Sequence, residues 1–230
     1  MSIQDSLTLT ADELHEFCGE GYFNVLVSKL SELIGSDYTY VAQIFDDTNE
    51  AETVSFFGGG AFFPTVKYDI KGTPCEDLRC NGDACILSGV ADAYPTDTFL
   101  KDLAIEGYLG IVLRDNSEAV IGILSALFKH PILPGDQNKI RDYFLAFSTR
   151  SSNELERIKY ESMLKDEISQ LQEKNDRLKI AQQIYDFSRD GIIVTDANNN
   201  IVYINSSLSK ISGYTSDELQ GHNPRILNSG

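Results

Sequence analysis

The sequence has no apolar run long enough to cross a bilayer. Its longest, residues 108–113 and 121–128, have the length of strands, which excludes a membrane-spanning helix. The first thirteen residues, MSIQDSLTLTADE, have neither a basic start nor an apolar centre and so make no secretory signal. Basic residues are scarce: 19 Lys and Arg against 35 Asp and Glu, for a net charge of -16. Such a chain repels phosphate backbones and anionic lipid surfaces, so neither nucleic acid nor membrane is expected as a partner. Four cysteines are too few to staple a disulfide scaffold, and a reducing, cytoplasmic setting is expected. The three histidines (His15, His130, His222) are scattered and make no metal motif. There is no glycine-rich phosphate loop and no nucleophile elbow, and His15-Glu16 has no matching second histidine. These absences argue against an enzyme.

Glycine and proline are also missing from about residue 136 to 186, a stretch rich in Leu, Ile, Glu, Lys and Gln. Unbranched side chains lose little rotamer freedom in a helix, so this stretch is expected to be one. At ~1.5 Å per residue its rod would be about 75 Å long, too long for one small core to bury. Leu164, Ile168, Leu171, Asn175, Leu178, Gln182 and Tyr185 step alternately by four and three, which is the seam of a parallel coiled-coil homodimer. An Asn at an a position, here Asn175, fixes register at a cost in stability. Upstream, Ile140, Phe144, Phe147, Ser151, Leu155 and Ile158 form a second stripe. The two are out of phase, because Ile158 and Leu164 are six residues apart rather than seven. That break implies a local change of winding or different partners for the two halves.

Before this helix, Thr10 or Asp12 is expected to cap a first helix running to Ile34 and ended by Gly35. Strands are expected over Tyr38–Phe45 and 53–57, joined by a turn at Asp46-Asp47-Thr48-Asn49, with a short third strand at 66–70. Residues 108–114 and 119–129 read as a hairpin, and Asp136 as the N-cap of the long helix. Helix, strand pair, irregular middle, strand pair and helix describe an α+β domain with an antiparallel sheet.

Three segments carry a family resemblance: GTPCEDL (72–78), GVADAYPTDTFL (89–100) and EGYLGIVLRDNSEAVIGILSALF (106–128). Together they resemble a bacterial GAF domain over 11–155, preceded by a lead-in at 1–10. The resemblance implies helices from both ends packed on one face of the sheet. It places any small-molecule pocket on the other face, under the irregular middle. By position the pocket candidates are Phe56, Phe63, Tyr68, Cys75, Cys85, Tyr94 and Tyr108, each of which could equally be core. No cofactor can be named. Asn138-Lys139 matches part of the cyclic-nucleotide signature of some GAF domains, but no Phe-x3-Asp-Glu follows. The Asp-Ile-Pro segment and Cys-His pair of bilin-binding GAF domains are absent. Cys75, Cys80 and Cys85, spaced C-x4-C-x4-C, could hold a metal or form a redox pair; without a C-x2-C pair, plain burial is the competing reading.

Beyond the connector helix (156–186, continuous with the last GAF helix from 136), residues 187–230 contain DGIIVTD, IVYIN and SGYTSDELQGHNPRILNSG. These resemble the N-terminal half of a PAS domain, so a truncated PAS fold is expected. Ile192, Val194, Ile201 and Tyr203 are its expected inward residues. Where light-sensing PAS domains carry a cysteine that bonds flavin, this chain has Pro224. The two resemblances imply a sensory region: a GAF domain that binds a small molecule or dimerises, a helix that relays its state, and a PAS domain. The partners implied are a second copy of the chain and a C-terminal output domain, such as a histidine kinase or an enzyme of cyclic-di-GMP turnover.

Overall fold

A computed structural model of the chain describes residues 14–45 and 48–228. The lead-in at 1–10, the caps Thr10 and Asp12, and the first half of the Asp46–Asn49 turn lie outside the described residues. The chain divides into two compact units, Met1–Ser162 and Met163–Gly230.

In the first unit, helix α1 (Gly19–Ile34) is followed by strands β1 (Tyr38–Phe45) and β2 (Glu50–Gly58). Short strands β3 (Ala61–Phe62) and β4 (Lys67–Asp69), helix α2 (Pro74–Asn81), strand β5 (Asp83–Ile86) and helices α3 (Val90–Ala93) and α4 (Thr98–Asp102) make up the middle. A long hairpin, β6 (Gly107–Arg114) and β7 (Val120–Phe128), leads into helix α5 (Asp136–Phe187). All strands pair antiparallel in one sheet ordered β3-β2-β1-β7-β6-β5, with β4 also on β2. The expected α+β antiparallel architecture is the one observed.

Strand alternation divides the core in two. Val41, Leu109, Ile111, Leu113, Leu124 and Ala126 point to one face, against Phe23, Leu26 and Leu30 of α1 and Ile140, Phe144, Phe147 and Leu155 of α5. Tyr40, Ala42, Tyr108, Ile123 and Leu127 point to the other face, which the middle segment covers with Ile70, Cys75, Leu78 and Leu100. Gly122 lets α5 approach the sheet: a Cβ there would lie 2.3 Å from Leu155 Cδ2 and 2.6 Å from the Ala42 carbonyl oxygen.

Two expectations about helix starts are corrected. The first helix does not run unbroken from residue 10 or 12 to Ile34; α1 starts at Gly19, whose φ of +58° cannot continue a helix from upstream. Contacts with α5 hold this break. Glu154 accepts from the Gly19 amide at 2.8 Å, Arg150 donates to the Leu14 and Phe17 carbonyls at 2.8 and 3.0 Å, and the Tyr22 hydroxyl meets Ser151 Oγ at 3.1 Å. Asp136, expected as an N-cap, is instead the first helical residue of α5.

The phase break in α5 marks a change of environment. Ile140, Phe144, Phe147, Ser151 and Leu155 are buried on the sheet and Ile158 packs partly against them. Leu164, Ile168, Leu171, Asn175, Leu178 and Tyr185 are all exposed. The first stripe is therefore a docking face of its own unit, and the second is uncovered among the described residues.

The second unit continues from α5 into a hairpin, β8 (Ile193–Thr195) and β9 (Ile201–Ile204), helices α6 (Ser206–Ser212) and α7 (Ser216–Leu219), and a 3-10 turn (Pro224–Leu227). Its small core is Ile201, Ile204 and Leu219, with Ile193, Leu208 and Leu227 packed on it. Of the four expected inward residues only Ile201 is buried; Val194 is exposed, and Ile192 and Tyr203 are half-buried. Instead the directly paired Ile193 and Ile204 face inward, and the register shift leaves Val202 unpaired on β9, which puts Ile201 on the same side as Ile204. Thr215 caps α7, in a capping box with Glu218.

Asn205, at the end of β9, is the polar centre of this unit and is only 1% exposed. Its Oδ1 accepts from the Ile192 and Leu208 amides, both at 2.9 Å, while its Nδ2 donates to the Tyr185 carbonyl at 3.0 Å and the Asp190 carbonyl at 2.9 Å. Around it, the Tyr203 hydroxyl donates to Asp186 Oδ1 at 2.6 Å and Ser206 Oγ to the Asp186 carbonyl at 2.9 Å. The C-terminal turn of α5 is thus tied to the hairpin and the start of α6 through Tyr203, Asn205 and Ser206.

Candidate functional site

On the sheet face away from α1 and α5 is a cavity of about 340 Å³. Strand alternation puts Tyr40, Phe56, Tyr108 and Leu127 into its base. The opposite wall is the segment from Val66 to Cys75 and the α4 turn from Thr96 to Leu100. Local chemistry fixes both. Thr73 caps α2 by accepting from the Cys75 amide at 3.2 Å, and its own hydroxyl donates to the Ile70 carbonyl at 2.6 Å. Gly72 adopts φ +70°, and the Thr96 hydroxyl donates to its carbonyl at 3.1 Å, which pins the α4 turn to the α2 cap. Asp97 caps α4 by accepting from the Leu100 amide at 3.3 Å. Burial holds the Asp97 carboxyl above its usual pKa.

The cavity floor is polar but uncharged. Cys75 Sγ is 3.3 Å from the Tyr40 hydroxyl, 3.6 Å from that of Tyr68 and 3.7 Å from that of Tyr108. The Tyr108 hydroxyl is also 2.9 Å from Ser125 Oγ. Gly110 makes room for this group, since a Cβ there would lie 2.6 Å from Ser125 Oγ and 2.9 Å from the Tyr108 hydroxyl. Burial, followed by the neighbouring Cys75, pushes Tyr40, Tyr68 and Tyr108 well above the ordinary tyrosine pKa. All three hydroxyls keep their protons across the physiological range.

Aromatic rings frame one side. Phe56 stacks on Phe63 with centroids 4.7 Å apart, and Tyr38, Tyr40 and Phe99 meet its ring at 5.7–5.9 Å. The mouth is formed by exposed residues: Val66, Asp69, Lys71, Thr96, Thr98 and Phe99. Charge is confined to this outer ring, as Lys71, Asp69 and the half-buried Asp97.

Of the expected pocket residues, the structure gathers Phe56, Tyr68, Cys75 and Tyr108 in the cavity wall. Phe63 backs Phe56 without lining the cavity. Tyr94 lies outside, where its hydroxyl donates to Asp77; burial and that carboxylate raise its pKa to about 12. Cys85 is on edge strand β5, beside a separate hollow of about 170 Å³ shared with Gln137 and Arg141. It donates weakly to Gln137 Oε1 at 3.9 Å, and burial raises its pKa. Among the described residues no three His, Cys, Asp or Glu side chains are placed to hold a metal ion; Cys75 is buried in the cavity while Cys80 and Cys85 are exposed. The C-x4-C-x4-C spacing therefore does not produce a metal cluster there. Sequence reasoning missed Tyr40, Thr53, Lys71, Thr73 and Phe99. Tyr40 could have been found, because the alternation in β1 that sends Val41 to the helices sends it to the opposite face.

Solved structures share the fold of the first unit. The GAF domain of an Acinetobacter phosphoenolpyruvate-protein phosphotransferase matches with a TM-score of 0.55 at 12% identity, covering 70% of this chain and 99% of that one. The GAF domain of a phosphoenolpyruvate-protein phosphotransferase from Coxiella burnetii matches with a TM-score of 0.54 at 13% identity, covering 70% and 96%. The chromophore-binding domain of a bacteriophytochrome from R. palustris matches with a TM-score of 0.51 at 11% identity, covering 68% of this chain and 62% of that one. Residues 179–230 match the PAS fold family. No curated protein sequence matches the chain. The first unit has the GAF fold, and the second carries a PAS-fold segment. Among the described residues no helix is long and apolar enough to cross a membrane.

Proposed function

We propose that the first unit is a non-catalytic sensor that binds a small molecule in the tyrosine-floored cavity. The supporting observation is the cavity itself: about 340 Å³, with an apolar wall and three tyrosine hydroxyls converging on Cys75. Ligand sites are typically ~300–1,000 Å³, mostly apolar, with a few convergent polar groups. Helix α5 then acts as the relay. Its first half docks on the sheet, and its last turn is held by Asn205. Its exposed seam of Leu164, Ile168, Leu171, Asn175, Leu178 and Tyr185 is the proposed contact with a second, parallel copy in the cytoplasm. The state of the sensor would pass through this helix to the PAS segment and on to a C-terminal output domain. A ligand shifts such a relay only by its difference in affinity for the two states.

Native mass spectrometry of the purified chain, with an absorbance spectrum, tests the reading. A bound molecule lost on denaturation is expected, and Thr98→Trp at the mouth should abolish its retention. A mass equal to the bare chain, with no thermal shift on adding a metabolite extract, would refute ligand binding. The exposed seam favours a second reading, a ligand-free dimerisation module; a dimer without any ligand response would support it.

A further inference from the structure

Resting on the reading of the cavity as a ligand site, we infer that its ligand is a flat, uncharged molecule that buries a hydrogen-bond acceptor such as a ring carbonyl. Three features of the cavity point to this class.

The first is a cluster of hydroxyls on the floor around one weak acceptor. Three phenolic hydroxyls approach one sulfur at 3.3–3.7 Å. A cysteine sulfur is a weak acceptor, and each tyrosine hydroxyl can donate to a better one. A ligand oxygen reaching this point would offer Tyr40 and Tyr68 a better acceptor than the sulfur, while Tyr108 already meets Ser125 Oγ at 2.9 Å. The raised pKa of each tyrosine keeps those donors in place.

The second is the distribution of charge. The buried lining residues, among them Tyr40, Thr53, Phe56, Cys75 and Tyr108, carry no charged side chain. A buried carboxylate would meet no countercharge, and desolvating an unpaired ion is costly. Asp69 and Asp97 outnumber Lys71 among the charged lining residues, and the whole chain carries -16. An anion is therefore disfavoured on approach as well as on the floor.

The third is the aromatic wall. Phe56 is backed by Phe63 and flanked by Tyr40 and Phe99. Phe99 lines the cavity yet is 41% exposed, and Val66 beside the mouth is 39% exposed. A planar ligand would cover this apolar surface and add an offset or edge-on ring contact.

The test titrates three probes into the intact chain by isothermal calorimetry: chromone, chromone-2-carboxylate and 2-decalone. Chromone is expected to bind, with the carboxylate and the saturated ketone each at least about tenfold weaker. Tyr68→Phe keeps the ring and removes one donor; it should weaken chromone roughly 3–10-fold, the range of a single neutral hydrogen bond, with little change in melting temperature. Equal or tighter binding of the carboxylate overturns the inference, as does chromone binding that Tyr68→Phe leaves unaltered, or no binding of chromone at all. Native mass spectrometry separates the two failures. If a small molecule is retained and Thr98→Trp releases it, the cavity is a site and only the ligand class is wrong. If nothing is retained and no probe binds, both readings fall.

Discussion

Replacing Gly122 by alanine tests how the relay helix is seated. Gly122 is on β7, paired with Gln43 of β1 and Leu113 of β6, so its backbone is held on both sides. An added Cβ would lie 2.3 Å from Leu155 Cδ2 and 2.6 Å from the Ala42 carbonyl oxygen, both inside any tolerable contact. Leu155 can rotate away only by giving up a fully buried position, and the carbonyl belongs to the neighbouring strand and cannot rotate. Overpacking of this kind costs about 1–3 kcal/mol. Restricting the unfolded chain by a Gly-to-Ala change returns about 0.4–1 kcal/mol. The balance is a destabilisation of about 1–2 kcal/mol, or a fall in melting temperature of roughly 2–8 °C for a chain of this size. Thermal unfolding followed by near-UV circular dichroism measures it. Gly135→Ala, where a Cβ meets open space, is the control and should raise the melting temperature by about 1–4 °C through the unfolded chain alone. A double-mutant cycle assigns the cause: Leu155→Ala alone should cost about 2–5 kcal/mol, and less when Gly122→Ala is already present. An unchanged or raised melting temperature for Gly122→Ala, or strict additivity with Leu155→Ala, would refute the proposed seating of α5.

Three other outcomes are expected. Asn205→Ala removes four hydrogen bonds at the end of α5 and leaves part-buried amides and carbonyls without their partner; hydrogen exchange of the Ile192 and Leu208 amides should accelerate about tenfold, from a cost of ~1–2 kcal/mol. Burial raises the pKa of Tyr40, Tyr68 and Tyr108, so the folded state holds these protons more tightly than the unfolded chain. Stability should therefore be insensitive to them below about pH 10 and fall as pH rises beyond it, with three tyrosines ionising late in a tyrosinate absorbance titration; Tyr108→Phe should flatten that fall. Leu171→Glu in the exposed seam should shift sedimentation from dimer to monomer without lowering the stability of the first unit, and a wild-type chain that sediments as a monomer would sink the seam.

Local signals in the sequence placed most of the elements. Tyr38–Phe45 and the β6–β7 hairpin were visible because alternating apolar residues can satisfy two packed faces only as strands. Strand β5 was not, because Asp83–Ile86 is four residues long and its pairing with β6 comes from across the fold. The buried face of the second hairpin is not legible either, since the unpaired Val202 puts Ile201 and Ile204, three residues apart, on one side.

The candidate site divides in the same way. Phe56, Tyr68, Cys75 and Tyr108 were expected in the pocket by their place in the resemblance, and they meet there. Phe63, Tyr94 and Cys85 looked equally suitable, but ring stacking, the Asp77 carboxylate and an edge strand take them elsewhere. Patterns along the chain set the long strands β1, β6 and β7, the long helix and the change of phase along it. These depend on side-chain periodicity and backbone propensity, which act over a few residues. Only the tertiary structure decided that Tyr40, Tyr68 and Tyr108 turn their hydroxyls onto Cys75. That convergence depends on strand register and on how the middle segment crosses the sheet, and no local property of any one of these residues encodes it.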